Sequence, residues 1–411
     1  MQTTDKNNFL RAEAELIIDD ARKAKAEKIK DIGEPIQLTG VALDLHIRDK
    51  YAWIAENSAV IRRVDLESGK TVQLFKGHTA PVTAIALWDK VSSSGDEKLM
   101  ISASWDKTIK IWNRETKELL SSTDAHSDFV KALLVIPSLQ LLVSSSSDKI
   151  VRFWDLSAFA VGQPLHSAGS ISAHTRPVES LSYRPISNAT AVLYTADTMG
   201  IIRVWELEKE EGTPTRWRAV QKDELTYHRT KIYEAVYGAG QLWTASADET
   251  AQAKHDPEPD ATPAPRPMPP LTHPTGVRAI LPLLATPLAE PYVLTGAGDV
   301  IRAYDVSSPD APELLGERDA HWHDVTALRL WMRRSAVEGA PGKVRVEPWV
   351  VSASLDGTLR KWKLMDLLHP PKPVEKAKEV APPPPKEVEE KESFGLTEDE
   401  ERELAELMED D

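Results

Sequence analysis

Residues 77–112 read GHTAPVTAIALWDKVSSSGDEKLMISASWDKTIKIW. Four residues mark this segment: His78 near its start, then Ser102, Asp106 and Trp112. Short runs of strand-forming residues lie between them and are bounded by turn residues, which predicts a series of short β-strands. A single sheet of this size would leave both faces in water, so the unit has to be stacked on further copies to form a core.

The segment is one copy of a pattern that is repeated along the chain. A small or polar residue, a histidine and, four residues later, a β-branched residue recur six times at intervals of 45 to 54 residues. The histidines are His78, His126, His174, His228, His273 and His321. Repeats of this length accommodate four strands of five or six residues with short turns, which is one blade of a β-propeller.

A second pattern follows three of these histidines with the same inner spacing: a hydroxyl residue, three residues, Asp, five residues, Trp. On these residues, about 34–365 of the chain resembles the WD-repeat (Trp-Asp repeat) family, in which the four side chains form a buried hydrogen-bonded tetrad. The resemblance implies structural tetrads within three blades: His78, Ser102, Asp106 and Trp112; His126, Ser144, Asp148 and Trp154; His321, Ser352, Asp356 and Trp362.

The other copies depart from the pattern. The fourth has Met199 where the aspartate is expected, the fifth has Lys254 at the tryptophan position, and the sixth reaches Tyr304 by a turn that is one residue too short. A degenerate copy without a tetrad, residues 41–65, precedes them all. Counting it, the sequence predicts an all-β fold, a seven-bladed WD-repeat β-propeller with an N-terminal helix and a disordered acidic C-terminal tail.

The predicted propeller spans residues 34–366, and its first strand, 34–38, supplies the outer strand of the last blade and closes the ring. Residues 1–33 form an N-terminal helical extension, with a helix over 9–31. Its apolar stripe packs on the flank of the propeller or, alternatively, binds a partner. The stripe consists of Leu10, Ala14, Ile17, Ala21 and Ala24.

Proline-rich and charged segments mark the parts expected outside the blades. Residues 367–395 read as a Pro/Lys/Glu-rich linker, and 396–411 as an acidic short helix, either a recognition helix or a solvated terminus. Two insertions, 255–270 with seven prolines and 332–347, interrupt the fifth and last blades. By family topology both emerge on the lower rim.

Composition excludes several classes of function. The chain has no cysteine and a net charge of −14; the 15 acids and 6 bases of residues 372–411 contribute −9 of it, which leaves −5 for the rest. Without a basic stripe we expect no nucleic-acid partner. The acids of the N-terminus argue against a signal peptide, and the absence of a long apolar run argues against a membrane span, so a cytoplasmic and/or nuclear location is expected.

Motifs of catalysis and cofactor binding are missing. Six of the eleven histidines are repeat anchors, and the doublet of His321 and His323 has no cysteine or third ligand nearby, so no metal site is predicted. The sequence contains no Gly-x-Ser-x-Gly or His-Glu-x-x-His motif. We therefore expect no enzymatic activity and no cofactor.

Binding is the remaining function. The family analogy places it at the upper opening of the central channel, which we call the mouth. Trp105 and Leu355 precede the turn aspartates, and other candidates follow the repeat histidines. Ordinary packing between blades is the alternative for Trp105 and Phe129. The complete set of candidates is Trp105, Phe129, Arg176, Arg229, Lys231, Trp322, His323 and Leu355. The aromatic residues are potential anchors for a protein or peptide, and the basic residues could attract a carboxylate.

Three functions compete. The first is a non-enzymatic scaffold or assembly subunit that binds partners on the mouth and rim. The second is an escort for basic clients such as a histone or ribosomal protein, which the acidic tail favours. The third is a substrate receptor of a ubiquitin ligase. Such receptors often carry Trp-Asp-x-Arg after the third strand, whereas the nearest match here is Trp154-Asp-Leu-Ser. The role of ubiquitin-ligase receptor is therefore not favoured. The oligomeric state stays open.

Overall fold

The computed structural model describes residues 13–90, 97–210, 212, 214–256, 267–336 and 344–370, with side chains from residue 16 onward. Within these residues the strands form seven antiparallel four-stranded sheets. The first strand of each sheet packs beside the first strand of the next, and that of the seventh packs beside that of the first. The ring is closed, and the predicted seven-bladed β-propeller is confirmed.

The elements follow in chain order. Helix α1 (Glu13–Lys28) and strand β1 (Ile36–Gln37) precede the blades, and helix α2 (Leu364–Leu368) follows them. The blades, each named from its innermost strand outward, comprise: blade 1, β2 (Ala42–Arg48), β3 (Tyr51–Glu56), β4 (Val60–Asp65), β5 (Thr71–Lys76); blade 2, β6 (Val82–Lys90), β7 (Glu97–Ser104), β8 (Thr108–Asn113), β9 (Leu119–Asp124); blade 3, β10 (Val130–Ile136), β11 (Leu141–Ser146), β12 (Val151–Asp155), β13 (His166–Ile171); blade 4, β14 (Val178–Pro185), β15 (Thr190–Asp197), β16 (Ile202–Glu210), β17 (Arg216–Leu225); blade 5, β18 (Ile232–Gly238), β19 (Gln241–Ser246), β20 (Thr250–His255), β21 (Leu271–Thr272); blade 6, β22 (Val277–Pro282), β23 (Tyr292–Ala297), β24 (Val300–Asp305), β25 (Glu313–Asp319); blade 7, β26 (Val325–Ala336), β27 (Val344–Ser354), β28 (Thr358–Lys363).

The start of the chain completes the last blade. Strand β1 pairs antiparallel with β28, with Ile36 opposite Leu359 and Gln37 opposite Thr358. The amide of Leu38 extends the pairing to the carbonyl of Gly357 at 2.9 Å. Blade 7 therefore contains both ends of the propeller, and the free edge of β28 is covered.

Helix α1 contacts blade 6 through charge. The ammonium of Lys25 lies 2.7 Å from Asp299 and 2.9 Å from Asp319, and Ile29, just after the helix, is fully buried. Of the predicted stripe, Leu10 and Ala14 lie outside the residues whose side chains are described; Ile17 is 64 % exposed, and Ala21 and Ala24 face solvent too. The helix thus packs on the flank of the propeller, which was one of the two alternatives, but it does so through the ion pairs of Lys25 and Lys28 and the buried Ile29 instead of through this stripe.

The propeller continues past the predicted boundary at 366. In helix α2 the side chains of Leu364, Leu367 and Leu368 are buried in the core of blades 6 and 7, so the first residues assigned to the linker belong to the folded unit. The compact unit ends at Pro370. The rest of the linker and the acidic helix lie outside the described residues, as do 257–266 and 337–343 of the two insertions.

A relay of hydrogen bonds runs through blades 2, 3 and 7. In blade 2 the indole N–H of Trp112 donates to the Ser102 hydroxyl, which donates to His78 Nε2, each at 2.8 Å. The His78 Nδ1–H then donates to Asp106 at 2.8 Å, which also accepts the amide of Thr108 in the turn. The tetrads of Trp154 and Trp362 have the same contacts at 2.8 to 2.9 Å.

In blade 4 the carboxylate comes from an unexpected position. Met199 is 51 % exposed, whereas Asp197 at the end of β15 is fully buried with its carboxylate 3.6 Å from His174 Nδ1. Arg203 also approaches His174 Nδ1, at 2.8 Å. By strand register Asp197 occupies the position of Ser104 in blade 2. The residue spacing of the repeat could not reveal this because the acid sits in the strand instead of the turn.

Blade 1 uses the same register position. Glu56 lies opposite Ala42, as Ser104 lies opposite Val82, and its fully buried carboxylate binds the guanidinium of Arg62. Ser58 also donates to it at 3.0 Å. A buried ion pair thus replaces the tetrad in blade 1.

Blades 5 and 6 contain substituted tetrads. In blade 5 His228 contacts Thr244 at 2.8 Å and Asp248 at 3.0 Å, and the hydroxyl of Tyr227, 3.3 Å from Thr244 Oγ1, replaces the indole. In blade 6 the Tyr304 hydroxyl lies 3.2 Å from His273 Nε2.

The tetrad aspartate of blade 6 has a different partner. His273 Nδ1 is 3.0 Å from the carbonyl oxygen of Leu271, to which it donates. Burial lowers the pKa of this ring to about 4, so the ring is neutral near pH 7 and its Nε2 accepts from the Thr295 hydroxyl at 2.9 Å. Asp299 is left to pair with Lys25 of helix α1.

The tetrad of blade 3 provides a test of stability. Trp154 is 3 % exposed and packs in the core between blades 2 and 3, so Trp154→Ala should lower the free energy of unfolding by about 3–5 kcal/mol through the cavity that it leaves. Chemical denaturation measures this loss. Trp105→Ala, which removes an exposed tryptophan, is the control and should change stability by less than about 1 kcal/mol. Equal losses would contradict a structural role for the tetrad.

Blade 6 predicts a dependence of stability on pH. Burial, followed by the charge of Arg302, lowers the pKa of His273 to about 4, whereas the histidine of an unfolded chain has a pKa of about 6.5. The unfolded state therefore takes up the proton first as the pH falls. The contribution of the neutral His273 to the free energy of unfolding is fully present above pH 6.5. It is lost progressively as the pH falls from there toward about 4.

We expect the wild type to lose about 2 kcal/mol from His273 between pH 7.5 and pH 5.0. His273→Gln, which cannot titrate, should be less stable at pH 7.5 but should lack this part of the decline. Urea denaturation of both proteins at the two pH values measures the difference. The same pH dependence in both would contradict the assignment.

The N-terminal segment should contribute to stability in two steps. Removing residues 1–24 keeps Lys25, Ile29 and β1, so the melting temperature should change little. Removing 1–38 also deletes the buried Ile29 and exposes the edge of β28, so the protein should melt earlier and aggregate. Differential scanning fluorimetry and size-exclusion chromatography compare the two truncations. A monodisperse and equally stable product without 1–38 would show that β1 is dispensable for closure.

Candidate functional site

The channel along the axis of the ring is lined by the innermost strands. Each of these strands has a register shift after its first residue, and the bulged residue contributes to the wall of a central cavity of about 550 Å³. The seven bulge residues, in blade order, are Leu43, Thr83, Lys131, Glu179, Tyr233, Arg278 and Thr326. The fold thus places one variable side chain of every blade at the same level of the channel.

An aromatic pair borders this channel at one end. Trp105, in the turn between the second and third strands of blade 2, stacks on Phe129 before blade 3, with ring centroids 5.0 Å apart and planes inclined by 21°. The two are 38 % and 39 % exposed, so packing between blades covers each ring only partly. Trp105 and Leu355 also line the cavity. We call the end of the ring that carries these turns the upper face.

The predicted basic residue of the channel is already paired. Lys231 lies 3.1 Å from Glu179 and 4.9 Å from the ring of Tyr233, and Lys131 lies 3.4 Å from the same carboxylate. Two cations thus share one anion, and the group has a net charge of +1. A ligand carboxylate can bind here only by sharing the lysines with Glu179.

The remaining wall of the mouth combines Arg278 with Tyr233. The guanidinium lies 4.8 Å from the tyrosine ring and 2.9 Å from Asp324. These two contacts hold Arg278 in place and balance its charge, so the pair offers a ligand mainly a polar and aromatic surface.

Deeper in the channel, charges join three blades. Arg329 of blade 7 lies 2.7 Å from Glu234 of blade 5 and 3.8 Å from Asp44 of blade 1. Burial raises the pKa of Asp44, but the neighbouring His46, Arg329 and the amide of Ile85 outweigh it and hold the pKa at about 2. The cluster is a clamp across the ring, with a net charge of −1 below the positive mouth.

The other four predicted site residues do not line the channel. The Arg229 guanidinium donates to the carbonyl of Asp248 in its own blade, at 3.2 Å. Trp322 and His323 contact each other, with ring centroids 6.0 Å apart. Arg176 is exposed and makes no ion pair among the described residues. The structure thus gathers Trp105, Phe129, Lys231 and Leu355 at the mouth and leaves these four outside it.

None of the seven bulge residues was predicted, although the repeat contained the signal for the four that are charged or aromatic. Each directly follows the apolar residue that ends the histidine pattern. They are Lys131, Glu179, Tyr233 and Arg278. The register shift that turns these residues into the channel was the information that the sequence pattern lacked.

Among the described residues, no group of three or more His, Asp or Glu side chains could hold a metal ion. Within the same part of the chain, no helix is long and apolar enough to cross a membrane.

Comparison with known proteins gives the relationships of the chain. The profile of the family described as "WD domain, G-beta repeat" matches residues 69–113 and 117–155, in blades 1 to 3. An "Uncharacterized WD repeat-containing protein C126.01c" of Schizosaccharomyces pombe is 26 % identical over 382 residues, which covers 89 % of this chain and 90 % of that protein.

Two more relatives match over a shorter length. The "Transcriptional corepressor LEUNIG_HOMOLOG" of Arabidopsis thaliana is 34 % identical over 28 % of this chain and 14 % of its own length. The "Transducin beta-like protein 3" of Rattus norvegicus is 24 % identical over 55 % of this chain and 33 % of its own length. These matches are therefore to parts of longer proteins.

The fold also resembles a solved structure. The computationally designed Ika8 protein superposes with a TM-score of 0.51 at 19 % identity, over 79 % of this chain and 83 % of that one. At this identity the similarity concerns the fold alone.

Proposed function

We propose that this chain, which belongs to the WD-repeat β-propeller family, is a non-enzymatic scaffold or assembly subunit that binds peptide segments of its partners at the mouth of the channel. WD-repeat propellers generally mediate protein–protein interactions. The observation that carries the proposal is the stacked pair of Trp105 and Phe129, which is exposed on the rim of the channel.

An exposed aromatic pair is suited to anchor a ligand. Aromatic residues dominate the binding energy of protein interfaces, and tryptophan contributes a large apolar area at little entropic cost. Trp105 and Phe129 already hold each other in position, so a partner would pay little to order them. Leu355 extends the apolar surface across the channel wall.

The charges of the mouth indicate the chemistry of the partner. Lys131 and Lys231 together hold one more positive charge than Glu179 neutralises. A peptide that places an apolar side chain on Trp105 and a carboxylate near the lysines satisfies both features. The partner we propose is therefore an apolar peptide with an acidic side chain or a free C-terminus.

The remaining parts of the proposal come from the sequence. We infer that the protein has no nucleic-acid ligand, because the body of the chain has no basic stripe, and we propose a cytoplasmic and/or nuclear location. The alternative role as an escort of basic clients rests on residues 372–411, which lie outside the described residues.

Substitution of the anchor tests the proposal. Trp105→Ala should weaken a bound partner about thirtyfold, which corresponds to about 2 kcal/mol, with the fold intact. Phe129→Ala should act in the same direction. Trp322→Ala removes the same residue type at the same end of the ring but outside the channel wall, so it is the matched control and should retain binding. Affinity purification with quantitative mass spectrometry identifies the partners, and titration of a purified partner measures the loss.

A lower-rim variant lacking residues 257–266 completes the comparison. Retention of all partners by Trp105→Ala, together with their loss from the rim variant, would place binding at the lower insertions and refute the mouth as the site. Equal losses in Trp105→Ala and Trp322→Ala would also refute it.

A further inference from the structure

A second cavity, of about 390 Å³, opens between blades 4 and 5. One wall is apolar and is formed by side chains of β15, β16, β17 and β19; the other is polar. The lining residues on which the argument rests are Val192, Tyr194, Val204, Leu242, Arg184 and Lys254. This volume is in the range of sites that bind small ligands or side chains of a peptide.

Smaller residues open this seam at positions where the seam between blades 1 and 2 is filled. Between blades 1 and 2, Tyr51 and the paired Trp53 and Arg63 fill the space, and the guanidinium of Arg63 lies 3.7 Å from the ring of Tyr51. At the same register positions blade 4 has Val192 and the pair of Tyr194 and Val204.

The facing blade is also depleted of apolar bulk. Lys254 pairs with Leu242, as Trp112 pairs with Met100 in blade 2. Tyr227 takes over the hydrogen bond of the missing indole from the preceding loop. It does not line the cavity, so the lower part of the seam remains open.

The polar wall contains hydrogen-bond donors without partners. Arg184 is only 9 % exposed, and its Nε and Nη1 make no hydrogen bond. Both ring nitrogens of His255 are likewise buried and unpaired. Lys254 is exposed at the edge of this wall and makes no ion pair among the described residues. Buried donors that lack acceptors are costly, so a ligand that brings acceptor oxygens would be favoured.

The nearest carboxylates cannot accept hydrogen bonds from these donors because both already have partners. Asp256 accepts a hydrogen bond from the Tyr194 hydroxyl, and its carboxylate lies 3.5 Å from Arg184 Nη2. Glu206 is bound to Lys222. Both anions are engaged, so Lys254 is available to a carboxylate from outside, and Arg184 would join it by turning its buried Nε and Nη1 toward the cavity.

We propose that the cavity between blades 4 and 5 binds a peptide segment of a partner protein that has an aromatic side chain next to a carboxylate side chain. The aromatic ring would occupy the space that Tyr51 and Arg63 fill in the equivalent seam, and the carboxylate would accept hydrogen bonds from Arg184 and Lys254. This site is independent of the proposed mouth.

The cavity also lies at the opposite end of the ring. Arg184 stands near the lower end of β14, and Asp256 follows the lower end of β20. Trp105 lies in a turn of the upper face. A partner in the seam would therefore leave the channel mouth free, and one propeller could hold two partners at once.

A synthetic peptide provides the probe. The full chain is titrated with acetyl-Gly-Phe-Glu-Gly-amide and with counterparts in which Gln replaces the Glu or Ala replaces the Phe, and ligand-observed NMR measures the dissociation constants. The acidic aromatic peptide should bind saturably, and each counterpart at least fivefold more weakly. Equal binding by all three peptides would overturn the proposal, as would competition by acetate or inorganic phosphate at the same concentration.

Variants assign the binding to the cavity. Lys254→Gln and Arg184→Gln should each weaken the probe at least fivefold. Arg218→Gln makes the same charge change on the exposed side of β17 and should have no effect. In a Trp105→Ala background, in which the mouth is weakened, Lys254→Gln should still weaken the probe at least fivefold, which separates this site from the mouth.

A filling variant covers the case in which Arg184→Gln does not fold. Val204→Phe should abolish probe binding at an unchanged melting temperature because the added ring takes the volume of the ligand. Normal binding by a folded Val204→Phe would overturn the proposal. Binding that appears only after residues 257–266 are removed would assign the cavity to the chain's own insertion and would overturn it as well.

Discussion

In blades 2, 3 and 7 a tryptophan, a hydroxyl, a histidine and an aspartate are connected by successive hydrogen bonds of 2.8 to 2.9 Å. The relay joins the loop before the first strand to the second strand, the third strand and the turn between them. It therefore fixes the upper end of each blade, where the channel begins. Because every polar group finds a partner, the relay can be buried at little cost and defines a single arrangement of the strands.

The blades that depart from this relay acquire new contacts in exchange. The carboxylate of blade 6 does not bind its histidine, and Asp299 instead receives Lys25 of helix α1. The tryptophan of blade 5 is replaced by Lys254, while Tyr227 supplies a hydroxyl from the loop before blade 5. Blade 1 uses the buried pair of Glu56 and Arg62. The least regular repeats are thus the ones that hold the terminal helix and open a cavity.

Much of the fold could be predicted from the sequence because the relay requires fixed residue types at fixed spacing. The seven blades followed from six histidines and a degenerate first copy, and the fold was confirmed. Residue spacing alone could not give the positions that depend on how the strands are aligned. The acid of blade 4 moved from the turn at Met199 to the strand at Asp197, and this shift is visible only once β14 and β15 are aligned.

The candidate site was predictable in part for a similar reason. Trp105 and Leu355 occupy positions set by the turn aspartates, so the analogy placed them at the mouth. The histidine loops vary more: Arg229 turns back onto its own blade. The bulge residues escaped attention because each looks like an ordinary strand residue in the sequence. The contacts of helix α1 could not be predicted for a different reason. The helix docks on Asp299 and Asp319, which lie about 270 residues and more beyond it in the chain.

The pairing of the mouth lysines also bears on how the site would discriminate among ligands. Free lysines would attract any anion, but Lys131 and Lys231 are held by Glu179 and can be recruited only by a group that fits between them. The electrostatic gain is then a rearrangement of existing pairs and is modest. Selectivity must come chiefly from the apolar contact with Trp105 and Phe129, whose rings are held at a fixed angle by the two adjacent blades. The acidic group would fix the orientation of the peptide in the channel, and the aromatic pair would supply most of its affinity.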